Sequence, residues 1–269
     1  MVRPPAVAGR FYPSQPQELL AQVEKFLSAE PSAARVRARG CVVPHAGYMY
    51  SGHVAGAVYA RLELPRRFIL LCPRHFPEGE PVAIVSSGAW RTPLGDAEID
   101  SALAVALKQA TPLLREDAVA HRIEHSLEVQ LPFLQKLAGA FRFVPVAIHK
   151  DHFGSLEEIG QAVAEVVAAQ TEPVMVVASS DMNHYESDEV TRKKDRRAIA
   201  PILALDARGL FDVVRREGIT MCGYAPTVAL LVAAKQLGAT RAELVRYATS
   251  GDINGDLAEV VGYAGIVIP

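Results

Sequence analysis

Three apolar, β-branched runs in this chain each end in a turn that carries a histidine. Val42-Val43-Pro44-His45-Ala46-Gly47-Tyr48 is the first, and Leu70-Leu71-Cys72-Pro73-Arg74-His75 repeats the order of strand, proline and histidine. The third is Val177-Ala178-Ser179-Ser180-Asp181-Met182-Asn183-His184. A single histidine after a strand is more often a hydrogen-bonded structural residue than a ligand. Three of them at the carboxyl ends of strands in one open α/β sheet are placed where such sheets bind ligands. Two further stretches carry chemistry. In Arg122-Ile123-Glu124-His125-Ser126-Leu127-Glu128, Ser126 can cap a helix and the acids sit near its positive end, which competes evenly with a functional role for Glu124 and His125. Cys222 lies directly before a helix that Pro226 can start. That position lowers a thiol pKa from about 8.5 and favours the thiolate.

These groups suit a metal. If Asp181, Glu124 and a Cys222 thiolate came together, unit charges ~4 Å apart would repel by about 4 kcal/mol per pair. Protonation, histidinium or a divalent cation held by His45 and His75 could offset that repulsion. Two neutral imidazoles with one thiolate or carboxylate match a transition-metal site with open positions. His53, His121, His149 and His152 lack the strand-end pattern or sit in turns and read as structural or surface residues, His149 being the least separable because it also ends a strand. Cys41 and Cys72 lie within strand runs and read as packing residues.

The elements that must position these residues alternate. Strands are expected at Cys41 to Val43, Phe68 to Leu71, Val82 to Val85, Phe143 to Ile148, Val174 to Ala178, Leu244 to Ala248 and Val260 to Ile268. Helical spacing of apolar residues marks Gln17 to Leu27, Val54 to Leu62, Ser101 to Lys108, Leu127 to Leu137, Leu156 to Ala168, Asp188 to Leu203 and Pro226 to Leu237. The pattern implies an α/β fold: a single domain over residues 1–269 with a central mixed, largely parallel sheet and helices on both faces. The last strands, not cleanly separated by helices, are expected to pair antiparallel.

Composition removes several classes. With 269 residues, 50% of them hydrophobic and 22% charged, the chain can bury a large core and is not disordered. A net charge of −2 offers no footprint for nucleic acid. There is no apolar run long enough to span a bilayer and no signal-peptide core, so no membrane partner is expected and a cytoplasmic location is. Three scattered cysteines make no disulfide framework.

Taken in order, Ala8-Gly9-Arg10-Phe11-Tyr12, Pro44-His45-Ala46-Gly47-Tyr48, Pro73-Arg74-His75, Arg91-Thr92-Pro93-Leu94, Glu124-His125-Ser126-Leu127-Glu128, Ser179-Ser180-Asp181 with His184, and Cys222-Gly223 resemble the Memo family across almost the whole chain. Its bacterial and archaeal members are often called AmmeMemoRadiSam system protein B. The resemblance implies a fold similar to class III extradiol (LigB-like) dioxygenases, which use non-haem iron(II). By motif, the family's metal-binding His-His-Cys set falls on His45, His75 and Cys222, and its further pocket residues on Asp181 and His184. The resemblance also implies iron(II) or copper, with zinc a weaker candidate, and redox chemistry on an unidentified substrate. The dioxygenases hold iron with two histidines and a carboxylate, whereas a thiol stands here in the carboxylate's place. A second histidine found in some relatives after the Pro-x-His motif is here Phe76. The system name implies a radical SAM enzyme and an AMMECR1-domain protein as partners.

The expected function is therefore that of a metal-binding protein with a redox or dioxygenase-like role on an unknown substrate. His184 or His125 would move protons, Asp181 would fix a histidine tautomer, and Glu124 would assist. Two alternatives use the same pocket. One is a peptide- or protein-binding module lined by Tyr12, Tyr48, Tyr50, Phe76 and Tyr185; the other is a zinc hydrolase with Glu124 as base.

Overall fold

A computed structural model describes residues 1–28, 34–149 and 151–269. Its strands are β1 (Val2–Arg3), β2 (Gly40–Val43), β3 (Arg67–Pro73), β4 (Val82–Ile84), β5 (Ala89–Thr92), β6 (Gly95–Ile99), β7 (Arg115–Glu116), β8 (Arg142–Ile148), β9 (Val174–Ser179), β10 (His184–Glu186), β11 (Glu243–Thr249) and β12 (Val260–Ile268). Its helices are α1 (Pro16–Ser28), α2 (Tyr48–Ala60), α3 (Ser101–Ala110), α4 (Leu131–Ala138), α5 (Phe153–Ala168), α6 (Asp188–Leu203), α7 (Ala207–Glu217), α8 (Tyr224–Gln236) and α9 (Gly251–Asn254). A short 3-10 turn, Glu128–Gln130, leads into α4.

All seven expected strands are present in one mixed α/β sheet, whose main path runs β1-β5-β6-β8-β3-β9-β2-β12-β10, with β11 beside β12 and β4 beside β8 and β7. The centre is parallel: β6 with β8, β8 with β3, β3 with β9, and β9 with β2. The late strands reverse: β12 is antiparallel to β11, to which a short connection joins it, and also to β2. Central strands are buried on both faces and alternate with period two. Val42, Ile69, Leu71, Val144, Val146 and Val176 meet a core shared with α3, α5, α7 and α8. Cys41, Val43, Phe68, Leu70, Phe143 and Val177 meet one shared with α1, α2 and α4.

The elements that apolar runs did not mark are the half-polar hairpin β5–β6, the two- and three-residue strands β1, β7 and β10, and the helices α7 and α9. The hairpin turns on Gly95 at φ +120°, where a β-carbon is disfavoured. Arg91-Thr92-Pro93-Leu94 forms this turn, Thr92 Oγ1 accepting from Leu94 N at 3.0 Å and donating to Gln135 Oε1 at 2.7 Å.

A buried carboxyl joins α6 to β11. Asp195 Oδ2 accepts from Tyr247 Oη at 2.7 Å, Oδ1 accepts from Asn183 N at 2.8 Å, and burial pushes the carboxyl from its ordinary 3.8 up to about 7. A carboxyl raised on folding binds its proton more tightly in the native state. Its contribution to stability should therefore be greatest below about pH 4, fall by up to ~1.4 kcal/mol per pH unit as the unfolded chain ionises, and level off above about pH 7. In urea unfolding across that range, the stability of the wild type relative to Asp195→Asn should show this fall. Parallel profiles would contradict this.

Candidate metal centre

Strands β3, β9 and β2 lie side by side and parallel, so their carboxyl ends leave the sheet at one edge. With strands ~4.8 Å apart, the turns after β2 and β3 are about 10 Å from each other, and side chains leaning over β9 can meet. They do. The His45 and His75 ring centroids are 5.2 Å apart, and His125, from the loop between β7 and the 3-10 turn, lies 4.7 Å from His75 and 5.5 Å from His45. One ring nitrogen from each histidine lies within 4.8 Å of the other two. His45 is buried, whereas His75 and His125 reach toward solvent.

Cys222 stands just outside that group of three nitrogens, its Sγ 3.2 Å from His45 Nε2. Gly223 makes this approach possible: a β-carbon there would lie 2.3 Å from Ser179 O and 2.4 Å from Ser180 Cβ. Without it the start of α8 rests on the end of β9, Gly223 N donates to Ser180 Oγ at 3.1 Å, and Asp181 N points at Cys222 Sγ at 3.3 Å. The expectation that the helix start would lower the thiol pKa is corrected here. Burial and the Asp181 carboxylate push the thiol well above its ordinary value. These outweigh a dipole that fades within the first turn.

Glu124 is fully buried and organises the histidine pair. Its carboxylate accepts from His75 N at 2.7 Å, His75 Nδ1 at 2.8 Å, Ser126 N at 3.0 Å and Ser126 Oγ at 2.7 Å, and lies 3.6 Å from His125 Nδ1. Burial alone would raise its pKa, but the bond to His75 and the two neighbouring imidazoles bring it down to about 2. Ser126 therefore serves Glu124 and is not the helix cap the sequence suggested; the 3-10 turn begins two residues later.

Burial lowers the His75 pKa, but Glu124 and Asp181 outweigh it and the net direction is up. Burial and the charge of His75 bring His125 down to about 4, against the pull of Glu124. Burial, aided by the other imidazoles, holds His45 well below its ordinary value.

Asp181 is next to the centre but does not fix a histidine tautomer, as had been expected. Its Oδ1 accepts from the main-chain N–H of His45 at 2.7 Å and of Ala46 at 3.3 Å, so it shapes the turn that carries His45. Burial raises its pKa, and the neighbouring His184 acts in the opposite sense. His184 is held by Thr220, main-chain N to Oγ1 at 2.7 Å and ring Nδ1 to the carbonyl at 2.9 Å. Donation to that carbonyl leaves Nε2 as the acceptor of the neutral ring.

Sequence reasoning met Phe11, Glu128 and Ser179 only inside motifs and gave them no role of their own, and it missed Gln130 and Arg3. Phe11 packs edge-on against His125 with centroids 4.7 Å apart. Arg3 Nη1 bonds Glu128 Oε2 at 2.6 Å, Nη2 bonds Glu124 O at 2.6 Å, and the guanidinium lies 4.1 Å over Trp90. The Gly9 turn lets Tyr12 Oη donate to Glu128 Oε1 at 2.6 Å. Of the aromatics expected to line a peptide cleft, Tyr12 and Tyr48 are instead buried, with their hydroxyls bonded to Glu128 and Val129 O. His121 is a core residue against Trp90, not an exposed turn; His149 is exposed, and Cys41 and Cys72 are buried in their strands.

A mixed sheet with a parallel centre and a histidine cluster beyond its carboxyl edge defines the class of protein. A family model described as Memo-like protein matches residues 3–267, and the chain belongs to that family. A MEMO1 family protein of Methanopyrus kandleri is 44% identical over 279 residues, covering 99% of each chain. One from Methanothermobacter thermautotrophicus is 40% identical, covering 98% of this chain and 99% of the relative. The crystal structure of uncharacterized protein JW3007 from Escherichia coli K12 superposes with a TM-score of 0.60 over 86% of this chain and 100% of that one; at 14% identity it shares the fold. Among the described residues no helix is long and apolar enough to cross a membrane.

Proposed function

We propose that the chain holds one iron or copper ion between His45, His75 and Cys222, with His125 beside it, and uses it in redox chemistry on a small molecule. The observation that carries this reading is the meeting of three imidazoles and a sulfur from four separate segments at the ligand-binding edge of the sheet. The donor set fits. A nitrogen and a sulfur 3.2 Å apart are spaced for adjacent positions on one ion at ~2.0–2.3 Å from each. Imidazole with thiolate suits iron and copper, and Glu124 behind His75 is the carboxylate partner that ligating histidines commonly have.

A bound ion would supply Lewis acidity and electron transfer. The chain's own groups would do the rest. His125, which burial favours in its neutral form, and His184, whose ring leaves Nε2 free, would be the groups placed to accept a proton from a bound substrate. Cys222 must release its raised-pKa proton to ligate. Protein purified anaerobically, stripped with a chelator and refilled, should take up about one equivalent of iron(II) or copper per chain. Retention of neither metal, or zinc alone at full stoichiometry, would defeat the reading.

A further inference from the structure

The hydroxyl of Ser179 sits between both halves of the centre. It has one proton to give, and Ser126 O, at 2.7 Å, can only accept it. Gln130 Nε2 donates to the same hydroxyl at 2.9 Å. The amide is fixed that way round because Nε2 also donates to Pro44 O at 3.0 Å and Oε1 accepts from Tyr59 Oη at 2.9 Å. His45 Nδ1 approaches Ser179 Oγ at 2.9 Å and meets an oxygen whose proton is already committed. A bare Nδ1 would set lone pair against lone pair, or would pull the hydroxyl off Ser126 O and leave that buried carbonyl without a partner. On the other side, Ser126 Oγ and N–H bind Glu124, whose carboxylate can only accept from His75 Nδ1. Tyr59, Gln130, Ser126, Ser179 and Glu124 are all fully buried, so water does not compete for the bonds among them.

We propose that Ser179 and Ser126 are positioning residues that hold both imidazoles with the proton on Nδ1, so that His45 and His75 each keep Nε2 as the free nitrogen. Ser126 links the two settings, through its carbonyl to the Ser179–His45 side and through its hydroxyl to the Glu124–His75 side. The purpose assigned to this arrangement rests on the reading of both histidines as metal ligands; the tautomers themselves do not.

Long-range 15N–1H correlation spectra of the metal-free full-length protein read the tautomer of each ring directly. The wild type should show Nδ1–H for His45 and His75. Ser179→Ala should move His45 toward Nε2–H while leaving His75 unchanged, and Ser179→Thr should restore the wild-type pattern. Cobalt(II) titration should then show about ten- to hundredfold weaker binding in Ser179→Ala than in Ser179→Thr. An Nε2–H ring at His45 in the wild type overturns the proposal without recourse to any variant. So does a folded Ser179→Ala protein with His45 unchanged, or one whose tautomer moves while cobalt affinity does not. A wild type with both tautomers as stated that binds no cobalt sinks the metal reading and upholds the tautomer assignment.

Discussion

His45→Ala protein should fold and yet bind iron(II) or copper more weakly by at least ~100-fold, beyond what loss of a supporting hydrogen-bond partner costs. Among the described residues, His45 is the imidazole in contact with both halves of the donor set. Its ring faces His75 and His125, and its Nε2 is the nitrogen 3.2 Å from Cys222 Sγ. Removing it leaves the sulfur with no imidazole at bonding range. The turn itself should survive, because Asp181 holds the main-chain N–H groups of residues 45 and 46 and those bonds do not involve the ring. Chelator competition measures the affinity and urea unfolding the stability. Wild-type affinity in a folded His45→Ala protein would remove His45 from the ligand set; Cys222→Ala tests the sulfur in the same way.

Arg3→Ala should have the largest effect on stability, about 3–5 kcal/mol, because it leaves a buried carboxylate without its counter-charge. Glu128 is fully buried and would retain only Ala6 N, Val7 N and Tyr12 Oη as donors, at 2.8, 3.0 and 2.6 Å. The same change strips the bonds to His121 O and Glu124 O and the stacking on Trp90. Since Glu124 holds His75, metal affinity should fall together with stability. Arg208→Ala, which breaks the exposed pair with Asp212, should cost no more than ~1 kcal/mol. Similar urea midpoints for the two variants would refute this weighting.

The sheet was legible because its central strands are continuous apolar runs, and the three histidine turns because proline or serine follows each run abruptly. Helix α7 was legible in principle: Asp206 caps it by accepting from Gly209 N at 2.8 Å, and Leu210, Val213 and Val214 make a buried stripe, but charged residues interrupt the run. The hairpin β5–β6 escaped because its strands are short and half polar. In the centre, residue types identified the groups that can bind a metal but not the ones that aim them. Ser179, Ser126 and Gln130 are ordinary polar residues in sequence, and only their complete burial marks them. Arg3 lies 121 residues from the Glu124 carbonyl it holds, so no local spacing could pair them. The thiol of Cys222 was misjudged for a related reason, since the burial that raises its pKa, with Asp181 beside it, depends on packing that local sequence does not show.

The central claim is that distant segments grip one ion, and anomalous scattering at the iron, copper and zinc edges from crystals of anaerobically purified protein tests it most directly. The account predicts a single iron or copper peak at ~2.0–2.3 Å from His45 Nε2, His75 Nε2 and Cys222 Sγ. A metal peak away from these atoms, or metal-replete protein with no peak at the centre, would contradict it.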